Sequence, residues 1–191
     1  MSGLETLLSG PVVAAARGLL GRRLVSDLDG DRVAVVLTEV EAYGGGDDPA
    51  SHAYRGRTGR NRSMFGAPGT LYVYRSYGIH WCANVVCGPV GRPGAVLLRA
   101  GMVVAGEEPA RRRRGRLNHL CDGPGKLAQA LAITGTLDGD SVIDGPVRIE
   151  GEPAPGTTRA TPRVGVTRAA ERRWRFVLRL AAGEGADNPR A

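Results

Sequence analysis

The chain has 191 residues, a hydrophobic content of 42% and a net charge of +7. These values fit one globular domain and exclude a mostly disordered chain. No run of apolar residues reaches the length of about 18 that a membrane-spanning helix needs, so such a helix is excluded as well. The basic charge favours a polyanionic partner. Three cysteines, with no export signal in the first residues, favour reduced thiols and a cytoplasmic location.

The N-terminal region is predicted to form a helix followed by a hairpin. A proline early in an apolar stretch and a glycine at its end indicate a helix over residues 11–21. Two strands, over residues 22–28 and 32–43, flank the dipeptide Asp29-Gly30, which is typical of a tight hairpin turn.

The second strand of this hairpin carries Glu39, Glu41 and Tyr43 on one face, because side chains alternate along a strand. Both of its faces are otherwise largely apolar, so we expect a central strand that is covered on both sides. Carboxylates on such a strand are uncommon unless they are paired or functional.

Shorter elements follow in the order expected of a mixed fold. Asp48 is predicted to cap a short helix that contains His52, and Asp122 a second helix over about 124–133. Strands are expected over 70–75, 79–87, 95–104, 163–166 and 174–180, with a turn over 76–78 and a surface loop over 151–162. The pattern predicts a single α+β domain over residues 1–182 on a mainly antiparallel, curved sheet, with a disordered tail over 183–191.

Arginine dominates the basic residues, since Lys126 is the only lysine among 26. Two arginine clusters stand out, one in a predicted loop and one a nearly continuous run: Arg55, Arg57, Arg60 and Arg62, and residues 111–116. Contact with nucleic-acid phosphates and a solvated basic surface both explain such clusters, and for the second run both interpretations stay open. Lys126, at a helix start, is a further candidate phosphate contact.

Seven of the nine aromatic residues lie between positions 43 and 81, together with two of the three histidines. Aromatic faces beside arginines suit stacking on nucleobases. We expect Phe65, Tyr72 and Trp81 to belong to the core. Tyr77 differs because it lies in a predicted turn, where an exposed ring can wedge into a base stack.

Nine short segments, taken together and in order along residues 10–180, point to one family. They are EVEAY (39–43), SHAYRG (51–56), RNRSMF (60–65), PGTLYVY (68–74), YGIHWCAN (77–84), VLLRA (96–100), GPGKLAQAL (123–131), PRVGV (162–166) and RF (175–176). In this order they resemble the alkyladenine (3-methyladenine) DNA glycosylase family. The resemblance implies a base-excision repair enzyme that flips a damaged purine out of duplex DNA and hydrolyses its N-glycosidic bond.

The resemblance also implies roles for individual residues. Glu41 would be the general base that activates water, and Arg99 would help to hold that water and the carboxylate. The pocket around the flipped base would be lined by Tyr43, His52, Tyr74 and Asn84. The wedge that fills the gap left in the duplex would be Tyr77. Asn84 would help to reject normal guanine by excluding the exocyclic amine of that base.

Alternatives remain for several of these residues. Glu39 shares the strand face of Glu41, so periodicity alone does not choose between them, and a structural ion pair with Arg99 is the other interpretation of Glu41. A capping or core histidine is the other interpretation of His52. Cys82 and Cys87 lack the spacing of zinc ligands, so no metal site and no cofactor is predicted.

The substrates that the resemblance implies are 3-methyladenine, 7-methylguanine, hypoxanthine and ethenoadenine in double-stranded DNA. We expect a monomer, because one lesion in one duplex needs one pocket. Strand-cleaving lyase activity needs an amine nucleophile, and Lys126 at a helix start is a poor candidate. A catalytically inactive module that binds damaged DNA is the alternative function, because it would share the same charge and aromatic residues.

Overall fold

The computed structural model describes residues 2–181. The four helices are α1 (Gly3–Leu8), α2 (Val12–Leu19), α3 (Glu107–Arg114) and α4 (Pro124–Ala130). The eight strands are β1 (Arg23–Leu28), β2 (Asp31–Tyr43), β3 (Leu71–Ser76), β4 (His80–Cys87), β5 (Gly94–Ala105), β6 (Val147–Glu150), β7 (Gly156–Thr161) and β8 (Arg175–Leu180). The predicted tail over 183–191 lies outside the described residues.

All eight strands form one curled antiparallel sheet, which confirms the predicted α+β class. The path of neighbouring strands is β3-β4-β5-β2-β1-β6, and the β7–β8 pair attaches to β2. Buried side chains from the sheet and the helices form one main hydrophobic core. No helix within residues 2–181 is long and apolar enough to cross a membrane.

Strand β2 organises the sheet. One edge pairs with β5, while the other pairs first with β1 and then, over Glu39–Glu41, with β8. Irregular pairing with β5 falls between Leu37 and Val40, where β2 changes partners. Such bulges bend a strand and re-aim its side chains. The prediction of a central strand covered on both sides is confirmed, because β2 has partners on both edges and most of its residues between Val33 and Ala42 are buried.

The β1–β2 hairpin also matches its prediction. Asp29 and Gly30 both have positive φ, at 58° and 77°, as a two-residue turn of the favoured hand requires. The helix predicted over 11–21 is observed as α2, and the chain leaves it through Gly21, which also has positive φ.

Three predicted elements and one predicted helix cap were wrong. Residues 48–56 form consecutive turns, not a helix, because the Asp48 carboxylate accepts from Gly44 and Ala50 backbone N–H groups and from Arg163. Asp122 does not cap α4, whose N-cap is Gly123; its carboxylate instead pairs with Lys126 and His119.

The other two errors lie near the C-terminal end of the sheet. The predicted loop over 151–162 contains β7, an exposed edge strand of threonines that shows no apolar alternation. The predicted strand over 163–166 is irregular, because Arg163 turns inward to Asp48 and the Val164 backbone N–H donates to the Glu41 side chain. Neither residue is therefore available for a strand ladder.

The arginine run of residues 111–116 is mostly committed to contacts within the protein. On α3, Arg112 pairs with Asp31, and Arg113 donates to the Leu28 carbonyl at 2.8 Å and to the Ala130 carbonyl at 3.2 Å. The Arg113 side chain is only 12% exposed. These contacts tie α3 to the β1–β2 hairpin and to α4, which favours a structural role for the run.

Candidate active site

A cavity of about 630 Å³ opens between the β3–β4 hairpin and the end of β2. Its volume lies within the range of small-molecule sites, roughly 300–1,000 Å³. Seven residues singled out from the sequence line it: Tyr43, His52, Arg60, Tyr74, Tyr77, Asn84 and Arg99. The fold therefore brings together side chains that are up to 56 positions apart in the chain.

Glu41 is fully buried at the wall of this cavity. Its Oε2 accepts a 2.8 Å hydrogen bond from the Tyr43 hydroxyl, and its Oε1 accepts a 2.7 Å bond from the Val164 backbone N–H. Nη1 of Arg99 lies 3.4 Å from Oε2. All three contacting residues line the cavity. The carboxylate thus has charge-assisted partners and lies directly behind the cavity surface.

Arg99 bridges the two carboxylates on the face of β2. Its Nε donates to Glu39 Oε1 at 2.6 Å, and the same oxygen accepts from Arg175 Nε at 2.7 Å. Burial raises the pKa of the Glu39 carboxyl, but the hydrogen bonds from Arg175 and Arg99 outweigh it and hold that pKa below its usual value. Glu39 therefore anchors two arginines, whereas the Glu41 carboxylate contacts only residues of the cavity wall.

The aromatic wall of the cavity comes from β3 and the turns that precede it. The rings of Tyr72 and Tyr74 stack with centroids 5.5 Å apart, and the His52 ring meets Tyr74 edge-on at 4.5 Å. His52 Nδ1 hydrogen-bonds the buried Tyr72 hydroxyl at 3.0 Å. Burial and the neighbouring Arg60 lower the pKa of His52, so its imidazole is neutral at pH 7.

Tyr43 on β2 and Asn84 on β4 complete the wall. Burial, with Glu41 beside it, raises the pKa of the Tyr43 hydroxyl far above its usual value, so it remains a proton donor at neutral pH. The Asn84 side chain is buried, and its Nδ2 donates to the Tyr72 carbonyl at 3.1 Å. This bond fixes the side chain of Asn84 at the cavity surface.

Tyr77 lies at the tip of the β3–β4 hairpin and is 93% exposed. Tyr77 and Gly78 both have positive φ, at 50° and 68°, and the Ile79 N–H closes the turn on the Ser76 carbonyl at 2.9 Å. A non-glycine residue seldom adopts positive φ, because its Cβ is crowded there. The turn holds a large apolar ring out at the mouth of the cavity.

All four residues of the first arginine cluster are exposed, and Arg60 lines the cavity. Arg60 donates to the Arg75 carbonyl at 3.2 Å and lies 5.8 Å from the Tyr74 ring. Within residues 2–181, Arg55, Arg57 and Arg62 form no ion pair, in contrast to the run on α3. Their charges are thus available to a partner.

Lys126 lies on α4 and does not line the cavity; Pro124 is the residue of that helix that does. The Lys126 Nζ donates to Asp122 Oδ1 at 2.7 Å, and the side chain is 44% exposed. In the described part of the chain, no group of three or more His, Cys, Asp or Glu could hold a metal ion.

Sequence reasoning missed the buried pair of Asp48 and Arg163. Both side chains are fully buried, and Nη2 of Arg163 donates to Asp48 Oδ1 at 2.9 Å. It also missed Val164 as a backbone donor to Glu41. The PRVGV segment marked this stretch, but only the tertiary fold brings it against the end of β2.

Comparisons with known proteins point to one family. Residues 6–182 match the family model described as methylpurine-DNA glycosylase. A protein of Frankia casuarinae is 51% identical over 189 residues, covering 91% of this chain and 86% of that protein. A Granulibacter bethesdensis protein is 51% identical over 173 residues (87% and 79%), and one of Mycobacterium tuberculosis is 48% identical over 184 residues (91% and 88%). All three are named "Putative 3-methyladenine DNA glycosylase".

Proposed function

The chain belongs to the methylpurine-DNA glycosylase family, and we propose that this DNA repair hydrolase excises alkylated and deaminated purines through water activated by Glu41. The proposed lesions are 3-methyladenine, 7-methylguanine, hypoxanthine and ethenoadenine. The proposal rests on one observation above all: three donors from the cavity wall converge on the Glu41 carboxylate.

Recognition would begin with extrusion of the damaged nucleotide. Flipping a base out of the duplex costs a few kcal/mol, which stacking in a pocket partly offsets. Tyr43, Tyr74 and His52 offer ring surfaces for the base inside the cavity, and the exposed Tyr77 would occupy the space left in the duplex. Asn84 would meet the base edge. A neutral His52 can hydrogen-bond a base edge without repelling a cationic methylated purine.

Hydrolysis would then proceed at the sugar carbon. The C1′–N bond breaks with its electron pair leaving on the base, a water oxygen bonds to C1′, and one water proton passes to Glu41. The Tyr43 hydroxyl, the Val164 N–H and Arg99 would hold the Glu41 side chain in position before the reaction. Because Glu41 is fully buried, a small shift of one of these residues must admit the water.

We further propose that the enzyme leaves the strand intact and acts as a monomer. Lys126, the only lysine, is ion-paired with Asp122 and lies outside the cavity wall. The exposed Arg55, Arg57, Arg60 and Arg62 would contact backbone phosphates near the lesion. One lesion requires one cavity, which a single chain contains. Genomic DNA as substrate fits the cytoplasmic location expected from the sequence.

The test compares the wild type with Glu41→Gln on duplexes that carry hypoxanthine or 7-methylguanine, with Glu39→Gln as the matched control. Released base and alkali-labile sites are quantified together with DNA affinity. We expect release by the wild type, loss of release in Glu41→Gln with binding retained, and partial activity in Glu39→Gln. Strand breaks should appear only after hot alkali. If the wild type binds lesion DNA but releases no base, the protein is a binding module instead.

A further inference from the structure

A buried ion pair lies behind the wall of the cavity, where no substrate can touch it. Asp48 and Arg163 have side chains with no exposed surface, and Nη1 of Arg163 also donates to the Ala42 carbonyl at 3.0 Å. Asp48 is brought there by the sharp turn after β2: Gly45 has a φ of 71°, and a Cβ at that position would lie 1.8 Å from the Pro93 carbonyl oxygen.

The Arg163 guanidinium lies close to two aromatic rings. Its Cζ lies 4.8 Å from the centroid of Tyr43 and 5.4 Å from that of Trp174. Cation–π contacts of this kind fix a ring more firmly when water is excluded. Arg163 thus supports the ring of Tyr43, the residue whose hydroxyl donates to Glu41.

The same arginine is also adjacent in the chain to the second donor to Glu41. Val164, which follows Arg163 in the chain, donates its backbone N–H to Oε1 at 2.7 Å. With the Arg163 side chain tied to Asp48 and to the Ala42 carbonyl, the backbone at 163–164 is held against the end of β2. Arg163 therefore contacts Tyr43 and directly precedes Val164, the residues that make two of the three contacts on the Glu41 carboxylate.

Stability alone is a weak reason for such a pair. Burying two charges costs several kcal/mol per ion, and apolar replacements of a buried pair are often neutral or stabilising. Within the described chain, Nε of Arg163 is buried without a hydrogen-bond partner, which adds to the cost. We propose that Asp48 and Arg163 are positioning residues that hold Tyr43 and Val164 on the Glu41 carboxylate. This inference rests on the proposed function of Glu41.

The test uses Asp48→Asn and Arg163→Lys, which keep size or charge but weaken the pair. The matched controls are Asp31→Asn and Arg113→Lys, a second Arg–Asp contact that ties α3 to the hairpin, away from the cavity. Base release is measured in single turnovers at saturating enzyme, beside the Kd for lesion DNA and the unfolding midpoint. We expect Asp48→Asn and Arg163→Lys to release base about tenfold more slowly than the wild type, with a Kd for lesion DNA within twofold of the wild-type value. The controls should lower only the unfolding midpoint.

Trp174→Leu keeps the test decisive if the pair variants do not fold, because it removes one of the two rings near Arg163, together with the contact of that ring with Arg172, and leaves the Asp48–Arg163 pair in place. It should slow release with little change in Kd. Release at the wild-type rate in Asp48→Asn or, where that variant does not fold, in Trp174→Leu overturns the inference and leaves the proposed function intact. An equal slowing in the Arg113 and Asp31 controls also overturns it. A wild type that releases no base overturns both.

Discussion

The Tyr43 hydroxyl donates a 2.8 Å hydrogen bond to Oε2 of Glu41, two positions earlier on the same strand. A side chain therefore joins the cavity surface to the buried carboxylate behind it. The bond aligns the carboxylate with the space in which a flipped base would lie. Because only the Tyr43 hydroxyl makes this bond, a variant that keeps the ring can test the hydroxyl separately.

Replacing Tyr43 with Phe should slow base release by about tenfold to a hundredfold, because a hydrogen bond to a charged group contributes about 1.5–3 kcal/mol. The ring remains, so affinity for lesion DNA should change little. Tyr74→Phe is the matched control, since the Tyr74 ring lines the same cavity without contacting Glu41. The measurement compares the single-turnover rates of base release of Tyr43→Phe and Tyr74→Phe. Equal effects would show that the Tyr43 hydroxyl has no special part in activating Glu41.

The exposed turn at Tyr77 gives a second prediction. Tyr77→Gly should lower kcat/KM for a lesion in duplex DNA by about tenfold, because base–aromatic stacking contributes about 1–3 kcal/mol. Glycine suits the positive φ at this position, so the unfolding midpoint should stay unchanged or rise. Val90→Ala, an exposed apolar residue of the β4–β5 loop, serves as the control. An unchanged kcat/KM of Tyr77→Gly would show that Tyr77 does not act as a wedge in the duplex.

The parts of the fold that could be predicted from the sequence are those with a local pattern. The Asp29-Gly30 turn was recognisable because few other dipeptides adopt positive φ twice in succession. The shared face of Glu39, Glu41 and Tyr43 followed from the two-residue period of a strand. The exposed position of Tyr77 followed from the turn.

The missed parts depend on contacts between distant segments. Asp48 and Arg163 are 115 positions apart, and nothing local distinguishes this aspartate from a turn cap. The run of residues 111–116 resembles a phosphate-binding patch until Asp31 and the Leu28 carbonyl are seen beside it. Strand β7 has no buried face, so it lacks the alternation that reveals a strand.

The two arginine clusters should differ in their response to salt. Arg57→Gln and Arg62→Gln should each reduce the slope of log K against log salt by about 0.9, the value for one lost phosphate contact. Arg112→Gln should leave that slope unchanged, because the Arg112 guanidinium is already paired with Asp31. Binding to an undamaged duplex at several salt concentrations gives the slopes. A reduced slope in Arg112→Gln would place α3 on the DNA as well.

The last prediction concerns acid stability and Glu39. Burial raises the pKa of this carboxyl, but bonds from Arg175 and Arg99 bring it below the reference value of 4.5. A group with a lower pKa in the folded chain binds fewer protons there than in the unfolded chain. Its stabilisation is therefore complete above pH 4.5 and is lost as the pH falls through the folded-state value.

The difference in unfolding free energy between the wild type and Glu39→Gln should accordingly be largest near pH 7 and shrink below pH 4.5. Denaturant titrations at a series of pH values measure it. Glu150→Gln is the control, because Glu150 also pairs with two arginines, Arg148 and Arg32, but its side chain is 28% exposed against 16% for Glu39. Ion pairs that are more exposed to water contribute less to stability. A Glu39→Gln difference that stays constant down to pH 3 would mean that the two arginines do not stabilise the ionised form of Glu39. Arg99 would then depend on Glu41 alone for its position at the cavity wall.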